Sequence, residues 1–379
     1  MLEIEALASD PAWPDADLDL LAQLDRRSEV DLGSGENQPL ERIAPEPERP
    51  QEREARGLHV RHEDGVVDVA HAVQVAKTHR FPVHEVEAVH RPDGIDHPMP
   101  GEKTRAAIAA QPGWLRRVRT DERFPGGSVL HTGCGTSFHA AQTGGDAVQA
   151  LDLVLQPERD ADLLVAISHE GTTRMTLEAV RAWSGASWLI TGAPESPLAE
   201  ECDHVVVAAP EIEQSWCHTA SYTAAVATLA ALRGEEVSWL PDAVAQALEQ
   251  DVGEPPEGRV LVAGAGQAWP TAQEGVLKLR EGAHLPAEAH HTEQLLHGHL
   301  AAIDETVRAY VIEGTRAADA VRALEVLGCE TTLVPSVHPV VDIVFFQLLT
   351  VAAADVRGVD PDPIRTDDER WKRARAAYD

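Results

Sequence analysis

The chain has 379 residues, enough for two or three domains that each bury a core. Its formal net charge of −31 argues against nucleic acid or an anionic membrane as a partner, because neutralising phosphate takes clustered Lys and Arg. Only four lysines occur (Lys77, Lys103, Lys278, Lys372), so a lysine inside a motif carries information, and an anionic ligand would need a local pocket.

Residues 1–98 are polar and proline-bearing, with Trp13 and Phe81 as their only aromatic residues. Such a segment buries little, and 1–96 is expected to be disordered or loosely structured. Its seven histidines between His59 and His97 fall at irregular spacing, which does not favour a metal site. Met99 offers an alternative start, since "MPGEKTRAAIAAQPGWLRRV" opens an amphipathic helix.

From about residue 126 short β-branched runs alternate with Ala-rich helical stretches: "SVLHTGCG", "ADLLVAIS", "ASWLITG", "HVVVAAP", then "RVLVAGAG", "RAYVIEG" and "TTLVPS". Alternation of this kind predicts parallel sheets covered on both faces. The series runs twice: "VLHTGCGTSFHAA" (129–141) and "VLVAGAGQAWPTA" (260–272) share a strand, a G-x-G turn and an opening helix. The Pro-bearing stretch 251–259 is the expected joint. Four dispersed cysteines (Cys134, Cys202, Cys217, Cys329) without a CxxC pair or signal peptide fit a reducing cytoplasm. No apolar run is expected to reach the roughly 18 residues that span a bilayer. A soluble, cytoplasmic protein follows.

Three stretches sit where strands hand over to helices, the place where open α/β sheets bind ligands. In Gly133-Cys134-Gly135-Thr136-Ser137, glycines permit a tight turn, and hydroxyls and amides at a helix N-terminus can hold an anion; a plain packing turn has the same pattern. "ISHEGTTRMTLEAV" (167–180) ends a strand and opens a helix with Ser168, Glu170, Gly171, Thr172 and Thr173, where simple helix capping is the ordinary explanation. The third stretch, "VLKLREGAHLPAEAHHTEQLLHGH" (276–299), carries Lys278 and Glu281 three residues apart on one helix face, either a surface ion pair or an acid–base site. His297 precedes a glycine turn that would aim an imidazole into a cleft. A metal site built from His290, His291, Glu293, His297 and His299 is the alternative, but adjacent histidines on a helix diverge and no H-x-x-x-H pair with a third ligand is evident. No metal and no cofactor are therefore expected.

Over about residues 97–379 the chain resembles the tandem sugar isomerase (SIS) domain family, in particular the isomerase half of glutamine–fructose-6-phosphate aminotransferase. The resemblance rests on "GCGTSFHAA", "ISHEGTT", "EIEQSWCHTASYTAAVATL" and above all "AQEGVLKLREGAHLPAEAHHTEQLLHGHLAAID". It implies an α/β fold of two SIS-type αβα sandwich halves with parallel sheets, 97–250 and 251–379, the second ending in a C-terminal tail. It also implies a homodimer with active sites near its interface. By the same resemblance Cys134, Thr136, Ser137, Ser168 and Thr173 would bind a sugar phosphate, with Gly135 and Thr172 of the same loops counted beside them as substrate-binding candidates, while Lys278, Glu281 and His297 would be catalytic. The histidine would open the sugar ring and the glutamate would move a proton between C1 and C2, roles that suit an imidazole titrating near neutrality and a carboxylate in a cleft.

The chain departs from this pattern in four ways. Residue 2 is Leu, so glutamine-dependent ammonia release is not expected. Glu170 and His218 stand where the family carries small residues, and both are counted as substrate-binding candidates. The tail lacks the usual lysine spacing, which leaves Lys372 as a candidate counterpart only. The reading is a sugar-phosphate isomerase or deaminase acting on an amino or amine-linked sugar; the alternative is a non-catalytic SIS module that senses a sugar phosphate.

Overall fold

The computed structural model describes residues 59–62, 65–68 and 99–378. The expectation for residues 1–96 lies outside the described residues, apart from the antiparallel pair β1 (His59–His62) and β2 (Gly65–Asp68). The helix expected after Met99 is α1 (Glu102–Leu115), whose first amides, of Lys103 and Thr104, donate to the Asp362 carboxylate of the C-terminal tail.

The α/β alternation is then regular. Strands β3 (Val129–Gly133), β4 (Ala147–Gln149), β5 (Leu163–Ile167), β6 (Ala186–Thr191) and β7 (His204–Val207) are interspersed with α2 (Thr136–Thr143), α3 (Ala150–Leu155), α4 (Arg174–Ala182) and α5 (Pro197–Glu201). Helices α6 (Ala220–Leu232) and α7 (Leu240–Ala247) follow. The second series is β8 (Arg259–Gly264), α8 (Ala268–Ala283), β9 (Ala287–His291), α9 (Thr292–Leu296), β10 (Val307–Ile312), α10 (Ala317–Val326), β11 (Glu330–Val334) and α11 (Pro339–Arg357), before the tail helix α12 (Glu369–Arg375).

Two parallel sheets result, ordered β4-β3-β5-β6-β7 and β11-β10-β8-β9. In β5 all five residues are buried, and in β8 only Arg259 is exposed, as apolar strands covered on both faces require. One core cluster runs through both halves, from Phe138 and Val165 to Val262 and Phe346. α8 lies close against α11 because Gly275 presents no side chain; a Cβ there would stand 2.7 Å from the Phe346 ring.

The repeat seen in the sequence is also a repeat of backbone shape. Gly135 and Gly266 adopt φ of +55° and +58°, and a Cβ on Gly133 or Gly264 would collide with the main chain of the helix that follows, at 2.8 Å and 2.5 Å.

Two expectations are corrected. α11 is long and apolar enough, by length and composition, to cross a membrane, yet 72% of its apolar window is buried inside the protein, where it serves as a core helix. His290 and His291 lie on strand β9 rather than on a helix.

Candidate functional site

The centre of the site is a buried ion cluster on α8. The Lys278 side chain is only 1% exposed, and its Nζ lies 2.7 Å from Glu281 Oε2, 3.4 Å from Glu274 Oε1 and 3.2 Å from Thr136 Oγ1. Burying an ammonium costs several kcal/mol unless it is paired, and helical spacing supplies the partners: Glu274 one turn before and Glu281 one turn after share the face. Burial favours the neutral amine, but Glu281 and Glu274 outweigh it and raise the Lys278 pKa above its ordinary value. Lys278 is thus a fixed positive charge rather than a base.

Glu274 is completely buried and was not singled out by the sequence reading. Its Oε1 accepts from Thr136 Oγ1 at 3.0 Å, and its Oε2 lies 2.7 Å from His139 Nδ1. Burial would raise its pKa, yet Lys278, His139 and Thr136 together hold it below the ordinary carboxylate range. The signal that could have found it is its position four residues before a lysine on an Ala-rich helix. Glu281, by contrast, keeps 24% of its side chain exposed, so it is the member of the cluster open to a ligand.

From the first half, the Gly133–Ser137 turn delivers Thr136 into this cluster, which commits the Thr136 hydroxyl to Glu274 and Lys278. Ser137 is half-buried, and its hydroxyl makes no hydrogen bond among the described residues. Cys134 packs beneath the turn in an apolar cluster and accepts from Thr176 Oγ1 at 3.5 Å. In the neighbouring loop, buried Ser168 lies 3.3 Å from Thr173, hydroxyl to hydroxyl, at the start of α4. Gly171 turns the loop at φ +65°; a Cβ there would sit 1.9 Å from Ser196 Oγ, so Ser196 would have to move. Glu170 and Thr172 are exposed.

His218 belongs to a second buried polar group. Glu213 receives the amides of Thr219 and Ser221, both at 2.8 Å, and their hydroxyls at 2.9 and 2.6 Å. Burial would raise this carboxyl, but His218 alongside, with Nδ1 3.9 Å away, and the Ser221 donors bring it down to about 2. The N-terminus of α6 is therefore occupied by the chain's own carboxylate.

His169, which the sequence reading passed over, packs its ring on Gly192, accepts the Glu213 amide at Nε2 (2.9 Å) and meets the His218 ring edge-on at 5.4 Å. Burial, with His218 nearby, lowers its pKa to about 4. Cys217, fully buried next to Lys278 and Glu281, has its thiol pushed up by burial to about 12.

His297 is not brought into this cluster. It follows α9 with 67% of its side chain exposed, and its Nδ1 lies 3.0 Å from the Glu293 carbonyl. Lys372 is also remote, paired with Glu369 at 2.7 Å on the tail helix. Among the described residues, no three His, Cys, Asp or Glu side chains come together as a metal-binding group.

Residues 140–233 match the SIS domain family. The chain is 27% identical over 292 residues to the isomerizing glutamine–fructose-6-phosphate aminotransferase of Methanothermobacter thermautotrophicus, a match that takes in 62% of the chain and 50% of that relative. It is homologous to the isomerase part of that enzyme and spans about half the relative's length.

In structure, the chain superposes on the C-terminal domain of glucosamine-fructose-6-phosphate aminotransferase from Francisella tularensis with a TM-score of 0.61 at 21% identity, covering 72% of the chain and 99% of that domain. The glucosamine-6-phosphate deaminase of Thermotoga maritima gives 0.56 at 21% identity, over 69% and 97%. The two SIS-type sandwich halves expected from the sequence are thus the fold.

Proposed function

We propose that the protein is a cytoplasmic enzyme that isomerises an amino or amine-linked sugar phosphate, with amine loss where an imine forms. The observation that carries this is the buried Lys278 bracketed by Glu274 and Glu281, which leaves Glu281 as a carboxylate open to a ligand beside a fixed positive charge. After ring opening, Glu281 takes a proton from one of the two reacting carbons and returns it to the other, while Lys278 stabilises the negative charge that develops between them. With a 2-amino aldose, the proton moves from C2 to C1, an imine forms at C2, and water hydrolyses it to the ketose and ammonia. No redox step is involved, and we assign no metal or cofactor a role.

The phosphate would sit at the starts of α2 and α4, on Ser137, Ser168 and Thr173, with the Gly135 and Gly171 turns admitting it. Cys134 and Thr136 would shape that cup from below, and His218 would contact the sugar. His297 would open the ring. Its exposure and its separation from Glu281 favour a homodimer in which a second copy completes the site.

The test is turnover of glucosamine 6-phosphate, fructose 6-phosphate and fructosamine 6-phosphate, read as ammonia or amine release and as solvent hydrogen entering C1 or C2. Glu281→Gln should lower kcat by about 10²–10⁴ with little change in ligand affinity. Unchanged turnover in that variant on a confirmed substrate would sink the mechanism. Glu170, an exposed carboxylate in the phosphate loop, favours the second reading, a sugar-phosphate sensor. Tight binding of one of these sugars with no hydrogen exchange in the wild type would decide for it.

A further inference from the structure

The geometry assigns Glu293 as a positioning residue for His297, held in turn by Arg316; the inference rests on His297 as the ring-opening group. His297 ends the short helix α9, and the i,i+4 spacing puts Glu293 on its face. The imidazole Nδ1 lies 3.0 Å from the Glu293 carbonyl oxygen and 3.2 Å from its carboxylate Oε1. Both neighbours are acceptors, so Nδ1 carries the hydrogen and donates it. Nε2 is then the atom that presents its lone pair to a ligand.

The other carboxylate oxygen of Glu293, Oε2, is 3.5 Å from Arg316 Nη1, and Arg316 Nε pairs with Asp319 Oδ2 at 2.6 Å. Arg316 holds a left-handed backbone, φ +66°, a conformation uncommon outside glycine. It lies in the loop after β10, at the place that the loop after β5 takes in the first half. The two loops even share a sequence, "EGTTR" at 170–174 and "EGTR" at 313–316. In the first half the loop presents hydroxyls. In the second, the Arg316 guanidinium reaches across to Glu293.

Exposed ion pairs add little to stability, so this chain of contacts is better understood through what it does to the imidazole. The carbonyl and carboxylate together fix the tautomer. The carboxylate also balances the positive charge that arises when Nε2 takes the anomeric hydroxyl proton. As that proton leaves, the carbonyl forms at the anomeric carbon, the ring carbon–oxygen bond breaks, and the ring oxygen receives the proton back from Nε2.

Two measurements on the full chain test this. Nitrogen-15 correlation spectra at alkaline pH should show neutral His297 as the Nδ1–H tautomer, the reverse of free imidazole side chains. Exchange between the anomers of glucosamine 6-phosphate, followed by NMR, should be accelerated by the wild type. It should fall about tenfold in Glu293→Gln with KM unchanged. Arg316→Gly, which tolerates the left-handed backbone and removes the guanidinium with the rest of the side chain, should show a smaller loss in the same step. An Nε2–H tautomer in the wild type, or wild-type anomer exchange in Glu293→Gln, overturns the inference. Failure of the underlying reading looks different: Glu281→Gln would then turn over normally, while the His297 tautomer is read without any turnover.

Discussion

Replacing Lys278 by Met keeps an unbranched side chain one atom shorter and removes the charge that balances Glu274. Glu274 is entirely buried, so it would be left with only Thr136 and His139 as partners. Removing one partner of a buried pair costs about 3–5 kcal/mol. The His139 contact survives, so the expectation is the lower end, about 3 kcal/mol at pH 8.

The sign of the pH dependence follows. In the wild type the Glu274 pKa lies below its ordinary 4.5, so its contribution to stability is present above that value and is lost as pH falls through the folded pKa. In Lys278→Met burial is no longer outweighed, and the folded pKa rises above 4.5. The variant is then least handicapped near pH 4.5 and loses ground as pH rises, by up to about 1.4 kcal/mol per pH unit until the new folded pKa is passed.

Urea unfolding of both proteins at pH 5 and pH 8, followed by circular dichroism, measures the difference. Adding Glu274→Gln to Lys278→Met should recover most of the loss at pH 8. A destabilisation below about 1 kcal/mol at pH 8, or one equal at both pH values, would refute the view of this cluster as a mutually dependent buried set.

Three other outcomes are expected. Glu170→Ser separates two uses of its loop: tighter binding of fructose 6-phosphate, measured by calorimetry, means that the carboxylate only repels phosphate, and weaker binding of fructosamine 6-phosphate means that it holds the amine. Gly171→Ala should weaken sugar-phosphate binding at least tenfold and destabilise the protein by about 1–3 kcal/mol, because the added Cβ lands on Ser196 Oγ in a backbone region that disfavours side chains; a thermal melt and a binding isotherm suffice. Cys217 should resist a thiol reagent at pH 8 in the folded protein and react once urea unfolds it, since burial holds its thiol near 12.

The regular part of the fold was legible because seven apolar runs announce seven strands, each bounded by a turn. β4 and β9 were not. β4 is three residues long, and β9 reads "AEAHH", a polar edge strand with no alternation of the expected kind. Lys278 and Glu281 stood out because lysine is scarce here, but their burial could not be seen from the sequence. It depends on Thr136 arriving from 142 residues away. Glu213 was invisible for a related reason: its role is to close the start of α6, and nothing in "EIEQSWCHTAS" says which way that carboxylate turns. His297 was visible as a motif, but its distance from Glu281 is a property of the folded chain.

The two halves look like interchangeable copies when their G-x-G turns are laid side by side, yet their seam makes them a single cooperative body. Thr136 and His139 come from one copy, Glu274 and Lys278 from the other, and the same apolar core continues through both. Neither copy expressed alone could satisfy those polar groups or cover that core. Unfolding should therefore show a single transition rather than two.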